Sequence, residues 1–142
     1  MQLQQDSLGA LLVDITRMMR RAFQQNMEGS GLTLAQARVL VYVSRREGLR
    51  QIELAELLEV QPITLARLID QLAQAGLVER RADPQDRRAH RIHLLPASAS
   101  YLRSIEAVMA SIRAQALHGL DRPQAAALLE GLRVMRSNLS VL

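Results

Sequence analysis

"QIELAELLEVQPITLARLIDQLAQAGLVERRADPQDRRAHRIHLL", residues Gln51 to Leu95, changes its hydrophobic period along its length. In its first ten residues Ile52, Leu54, Ala55 and Leu58 mark the inner side of a short helix. Glu59-Val60 reads as a tight break. Gln61-Pro62 then opens a second helix, since proline lacks only an N–H that a first turn does not need. Leu65, Leu68, Ile69 and Leu72 form its inward stripe, and Gly76 supplies a left-handed stop. Beyond it the period falls to two. "LVERR" and "RIHLL" are short extended runs around "ADPQDRRAH", with Ile92 and Leu94 alternating with Arg91 and His93 as in a half-exposed strand. Helix, break, helix and β-hairpin make a helix-turn-helix followed by a wing.

The flanks are helical. Upstream, Leu8, Leu11, Leu12, Ile15, Met18, Met19, Ala22 and Phe23 recur at steps of three and four. "EGSGLT" interrupts this stripe, and Thr33 with Gln36 predicts a capping box for a helix carrying Val39, Leu40 and Val43. Beyond Pro96 one helical pattern carries Leu102, Ile105, Met109 and Ile112. A second, capped by Asp121, carries Leu128, Leu129, Leu132, Met135 and Leu139. The expected fold class is mainly α with a small β-hairpin wing, in one unit of 142 residues. Residues 31–96 form the winged helix-turn-helix, and 1–30 with 97–142 supply long end helices. The winged unit has a core of its own, so the end stripes need another cover. A homodimer sharing those helices provides it.

Composition narrows the function. Hydrophobic residues make up 49% but aromatics only 2%, so packing rests on aliphatic side chains, a profile that favours helix over sheet. All 18 Lys+Arg residues are Arg. A coding bias of the source genome accounts for that, yet Arg is also the side chain that forks onto phosphates and base edges. Absence of Cys excludes disulfides, thiol redox sensing and Cys-ligated metal. The first helical pattern mixes Asp and Arg into its apolar positions, unlike a secretory leader, and no apolar run approaches the roughly 20 residues of a membrane span. A cytoplasmic protein is expected.

Helix-turn-helix units lay the second helix in the major groove with its early residues at base edges. With the inward stripe fixed, Gln61, Ile63, Thr64 and Arg67 fall outside. Arg67 suits guanine, Thr64 a base or phosphate, and Ile63 a thymine methyl. The hairpin adds Arg80, Arg81, Arg87, Arg88 and Arg91, partly offset by Asp83 and Asp86. Such a charge run is commonly just a solvated face. Directly after a recognition helix, however, it would lie along the duplex, where a narrow minor groove attracts inserted Arg. Asp86 is then expected to shape the wing by pairing with a neighbouring Arg.

These features together resemble the MarR family of bacterial transcription regulators, nearest to its SlyA-like branch. "IELAELL", "LIDQLAQAGLVER" and "DPQDRRAHRIHL" carry the resemblance, and the helix order agrees over nearly the whole chain. It implies a homodimer joined by the terminal helices on a pseudo-palindromic operator in double-stranded DNA. Thr64 and Arg67 match recognition-helix DNA contacts, with Ile63 beside them. Arg87 and Arg88 match the wing's Asp-Arg-Arg, one reaching the minor groove and the other tied to Asp86. The family's Leu-Thr after the second wing strand is here Leu94-Leu95-Pro96, which removes a helix cap. The resemblance further implies a repressor released by a small aromatic or phenolic anion bound between the DNA-binding lobe and the dimer helices. The sequence names no ligand set, although Arg17, Arg20, Arg21 and Arg38 are cations available to such a cleft. The peroxide-sensing branch needs a Cys and is excluded.

Two other classes compete. An enzyme finds little support, because His90, His93 and His118 are the only histidines and no HExxH or paired-carboxylate motif accompanies them. His90 and His93 in an extended segment point to opposite faces, which suits neither a metal nor a general base. No metal or cofactor is expected. The alternative is a winged-helix protein-interaction module that does not bind DNA, whose partner binding would ignore salt.

Overall fold

A computed structural model describes residues 7–140. The element order is α1 (Leu8–Asn26), α2 (Leu34–Arg45), α3 (Gln51–Leu58), α4 (Pro62–Gln74), β1 (Val78–Asp83), β2 (Asp86–Leu94), α5 (Ser98–Ala116) and α6 (Arg122–Leu139). The strands form a two-stranded antiparallel sheet. The expected winged helix-turn-helix is present in the expected order.

Local chemistry sets the boundaries. Thr33 and Gln36 close the capping box on α2, each side chain accepting from the other's backbone N–H at 3.1 and 3.0 Å. Asp121 and Gln124 do the same for α6. The break between α3 and α4 is made by Glu59, which adopts a left-handed conformation with φ of 53°. Such backbone costs a non-glycine side chain about 1 kcal/mol or more. Here Val60 N–H donating to the Ala55 carbonyl at 3.1 Å helps hold the turn. Pro62 occupies the first turn of α4, and Gly76, with φ of 76°, follows its end. The lost Thr cap before α5 is replaced by a turn: Ser98 N–H and Oγ–H both donate to the Leu95 carbonyl, at 3.0 and 2.7 Å.

Val39, Leu40 and Val43 of α2, Leu54 and Leu58 of α3, and Leu65, Ile69 and Leu72 of α4 are buried with Leu77, Val78 and Ile92. Side chains of this size each contribute roughly 1.5–3 kcal/mol when removed from water. Of the residues expected inward in these helices, Leu68 is only half-buried and one lies outside. Ile52 is 52% exposed. At 100° per residue, Leu54, Ala55 and Leu58 share one face of α3 and Ile52 falls beyond its edge.

The hairpin also departs from expectation. Its strands run to Asp83 and from Asp86, leaving only Pro84-Gln85 as the turn, with a register shift at Ala82/Asp83. Leu49 extends the sheet sideways: its carbonyl accepts from Ile92 N–H at 3.0 Å, Gly48 N–H donates to the Ile92 carbonyl at 2.9 Å, and Arg50 bridges to Arg91. The wing is therefore fastened to the loop that opens α3.

The chain divides into two compact units after Met109, within α5. In the first unit, α1 buries Phe23 but leaves Leu8, Leu11, Ile15, Met18 and Met19 exposed. In the second, α6 buries no residue, and Leu128, Leu129 and Leu139 are exposed.

Candidate nucleic-acid interface

The open face of α4 is set by what its other half is doing. Leu65, Ile69 and Leu72 point into the core. On the outer side, Gln71 accepts from the Gln36 side chain at 2.9 Å, and Asp70 pairs with Arg80 at 2.7 Å. The second half of that side is thus engaged within the fold. Ile63, Thr64 and Arg67 remain exposed on the first half, with Gln61 at the N-cap making no side-chain cap bond. Ile63 is 72% exposed, a large apolar side chain held in water. All four residues singled out in the sequence are accessible together.

The wing arginines separate into two groups. Arg80 is a brace: besides Asp70 it donates to the Gln51 side chain at 2.9 Å and to the Ala66 carbonyl at 3.1 Å, tying β1 to α3 and α4. Arg91 donates to the Gly48 carbonyl at 2.8 Å and lies 3.4 Å from Asp83. Arg81 pairs with Glu79 on its own strand at 2.7 Å. Arg87 and Arg88 are exposed, and among the described residues neither joins an ion pair. Of five clustered arginines, two are left free to meet a polyanion.

The carboxylate that anchors the wing is Asp83. Its side chain is fully buried, 2.7 Å from Arg50 Nε and 3.4 Å from Arg91, and its other oxygen accepts from Gln85 N–H at 3.0 Å. The Gln85 N–H lowers the Asp83 pKa most; burial opposes it, and the charges of Arg50 and Arg91 lower it further, for a net depression. Asp83 therefore closes the turn and pins it to the start of α3. Asp86 is tied to a neighbouring arginine through the main chain: it accepts from the backbone N–H of Arg88 at 3.0 Å, and among the described residues it joins no ion pair. That bond shapes the strand's start as an Asx-type turn does. Sequence reading missed the Asp83 anchor because Arg50, its closest partner, lies 33 positions away. An Asp at the turn with surplus arginines around it was the one available signal.

Wing and helices share a concave face. A groove of about 280 Å³ is lined by Arg50, Gln51, Ile52 and Ala55, by Pro62 at the start of α4, and by Asp86, Arg88, Ala89 and His90 of β2. Arg88 and His90 are among the residues that line this groove, and Arg87 is not. A second, more open groove of about 880 Å³ runs along α1, lined by Leu12, Val13, Thr16, Arg17, Arg20, Arg21, Gln24 and Leu34. Arg38, considered with those arginines, does not line it. No cluster suited to a metal ion occurs among the described residues.

Comparison with known proteins agrees with this fold. The MarR family model matches residues 32–90, from the start of α2 into β2. The transcriptional regulator PA3341 is 36% identical over 96% of this chain and 100% of its own, with a TM-score of 0.82. The transcriptional regulator SlyA is 26% identical over 94% of each chain, with a TM-score of 0.80. A MarR transcriptional regulator from Methanosarcina mazei Go1, 23% identical, shares the fold over 95% of this chain and 98% of its own with a TM-score of 0.86. These neighbours are transcriptional regulators, not enzymes.

Proposed function

The chain belongs to the MarR family, and from that premise we propose that it regulates transcription as a homodimer on a pseudo-palindromic DNA operator, acting as a repressor that a small ligand releases. The observation carrying this reading is the exposed set Gln61, Ile63, Thr64 and Arg67 beside a groove whose far wall is the wing with Arg88. In this reading the start of α4 reads base edges in the major groove, and a wing arginine reaches the adjacent minor groove. Arg88, which lines the groove together with Pro62 of α4, is the better candidate for tracking the backbone between them. Arg87 is exposed and does not line that groove, and is the better candidate for the minor groove. The Asp86-Arg87-Arg88 wing also supports a place in the SlyA-like branch.

The dimer reading rests on apolar side chains in water. Leu8, Leu11, Ile15, Met18 and Met19 of α1, and Leu128, Leu129 and Leu139 of α6, are exposed in the single chain. Exposed apolar stripes of this kind on a helix mark association surfaces. Residues 1–30 and 97–142 accordingly serve as the dimerisation helices around the DNA-binding region 31–96. Among the described residues no helix is long and apolar enough to cross a membrane, in keeping with action at cytoplasmic DNA.

An effector, a small aromatic or phenolic anion, finds support in the α1 groove, where Arg17, Arg20 and Arg21 stand among Leu12, Val13 and Leu34. Charge for a carboxylate or phenolate and apolar wall for a ring occur together there. No resident cofactor enters the reading.

In vitro selection from a random duplex pool, followed by footprinting, tests the proposal. Two protected half-sites about one helical turn apart are expected, with Arg87→Ala and Arg88→Ala each weakening protection at a different position. Failure to enrich any sequence favours the protein-interaction module instead.

A further inference from the structure

His90 lies on β2 opposite Ala82 and is exposed. It lines one groove with Arg88 and Asp86 toward the turn, and it shares a strand face with buried Ile92 toward the core. Across the groove stand Arg50, Gln51, Ile52 and Ala55 from the loop and α3, and Pro62 from α4. The charged groups on its groove and strand face are therefore Arg50, Arg88 and Asp86, with Arg80 across the hairpin opposite Ile92, held by Asp70 at 2.7 Å. Arg50 is held by Asp83 at 2.7 Å, and Asp86 by the Arg88 backbone at 3.0 Å. The other wing histidine is placed differently: His93 Nδ1 stands 3.8 Å from Glu47 on the opposite face. Among the described residues His90 has no such carboxylate. It lines the same groove as the unpaired Arg88 of the wing and Pro62 at the start of α4.

We infer that His90 is a further phosphate contact whose protonation makes duplex binding tighter in mildly acidic conditions. This rests on the DNA-binding reading above. A neutral imidazole offers one N–H donor, whereas an imidazolium offers two and a charge. Histidine is the side chain whose charge changes most readily between pH 5 and 8. A phosphate at the groove favours the charged form, so binding takes up a proton and affinity rises as pH falls. The charged form also displaces one more counterion.

The test is fluorescence anisotropy of the full-length protein with a duplex recovered by in vitro selection, at pH 6 and pH 8, each over a salt series. Tighter binding is expected at pH 6, with a log–log salt dependence steeper by about one per protomer. His90→Gln should bind at both pH values as the unsubstituted protein does at pH 8. His90→Lys should bind tightly at both, and His118→Gln should leave the pH profile intact. If His90→Gln keeps the full pH dependence, or the unsubstituted protein has none while still binding, the inference is overturned. If selection recovers no duplex at all, the DNA-binding reading falls and this inference falls with it.

Discussion

A buried carboxylate facing two guanidinium groups contributes to the fold only while ionised, and Asp83 is in that position. Its pKa is lower in the folded protein than in the unfolded chain. Its stabilisation is thus fully present above the ordinary carboxylate value, about 3.9, and is lost as pH falls through the depressed folded value. Asp83→Asn should lower the melting temperature clearly at pH 7, with the gap to the unsubstituted protein closing toward pH 3. An equal gap at both pH values would show that the carboxylate's charge is not what matters. Arg67 works in the opposite way, remaining unengaged in the fold. Arg67→Ala should leave the melting temperature within about 1 °C and cost roughly 1–3 kcal/mol at the operator, with relaxed choice at one base position. Exposure of Arg67 was legible from helical spacing alone. Roles of the wing arginines were not, because pairing across a hairpin and to a loop 33 residues away depends on register and turn closure.

Caps and stripes define the elements, and these were the most legible features. Thr33 and Gln36 predicted the start of α2, Pro62 that of α4, and Asp121 that of α6, since each satisfies a local backbone need. Thr33→Ala should cost about 1 kcal/mol in chemical denaturation, and Leu65→Ala, the first fully buried residue of α4, about 2–5 kcal/mol. The reverse order of these costs would contradict the assigned core. Where local need gave no signal, spacing misled. Ile52 fits an apolar stripe only when the short α3 is read without its angular geometry. The strands outrun their apolar residues because Asp83 and the Leu49 edge hold polar positions in extended conformation. Leu95-Pro96 hid the start of α5, which a Ser98 turn supplies.

At the scale of the molecule, the winged unit buries its own core while α1 and α6 keep apolar side chains in water. In the proposed homodimer, twofold pairing would relieve that cost and present two recognition helices at once. Sedimentation at micromolar concentration should give twice the chain mass, and Leu11→Glu with Ile15→Glu should shift it toward the monomer. A monomeric unsubstituted protein would remove the twofold reading while leaving each winged unit intact. The most direct measurement is the salt dependence of affinity for a selected duplex, made on the unsubstituted protein and on the double variant Arg67→Ala, Arg88→Ala. Affinity should fall by roughly a thousandfold or more between 50 and 200 mM salt, with a shallower slope and weaker binding for the variant. Binding that ignores salt, or a variant indistinguishable from the unsubstituted protein, would contradict the account.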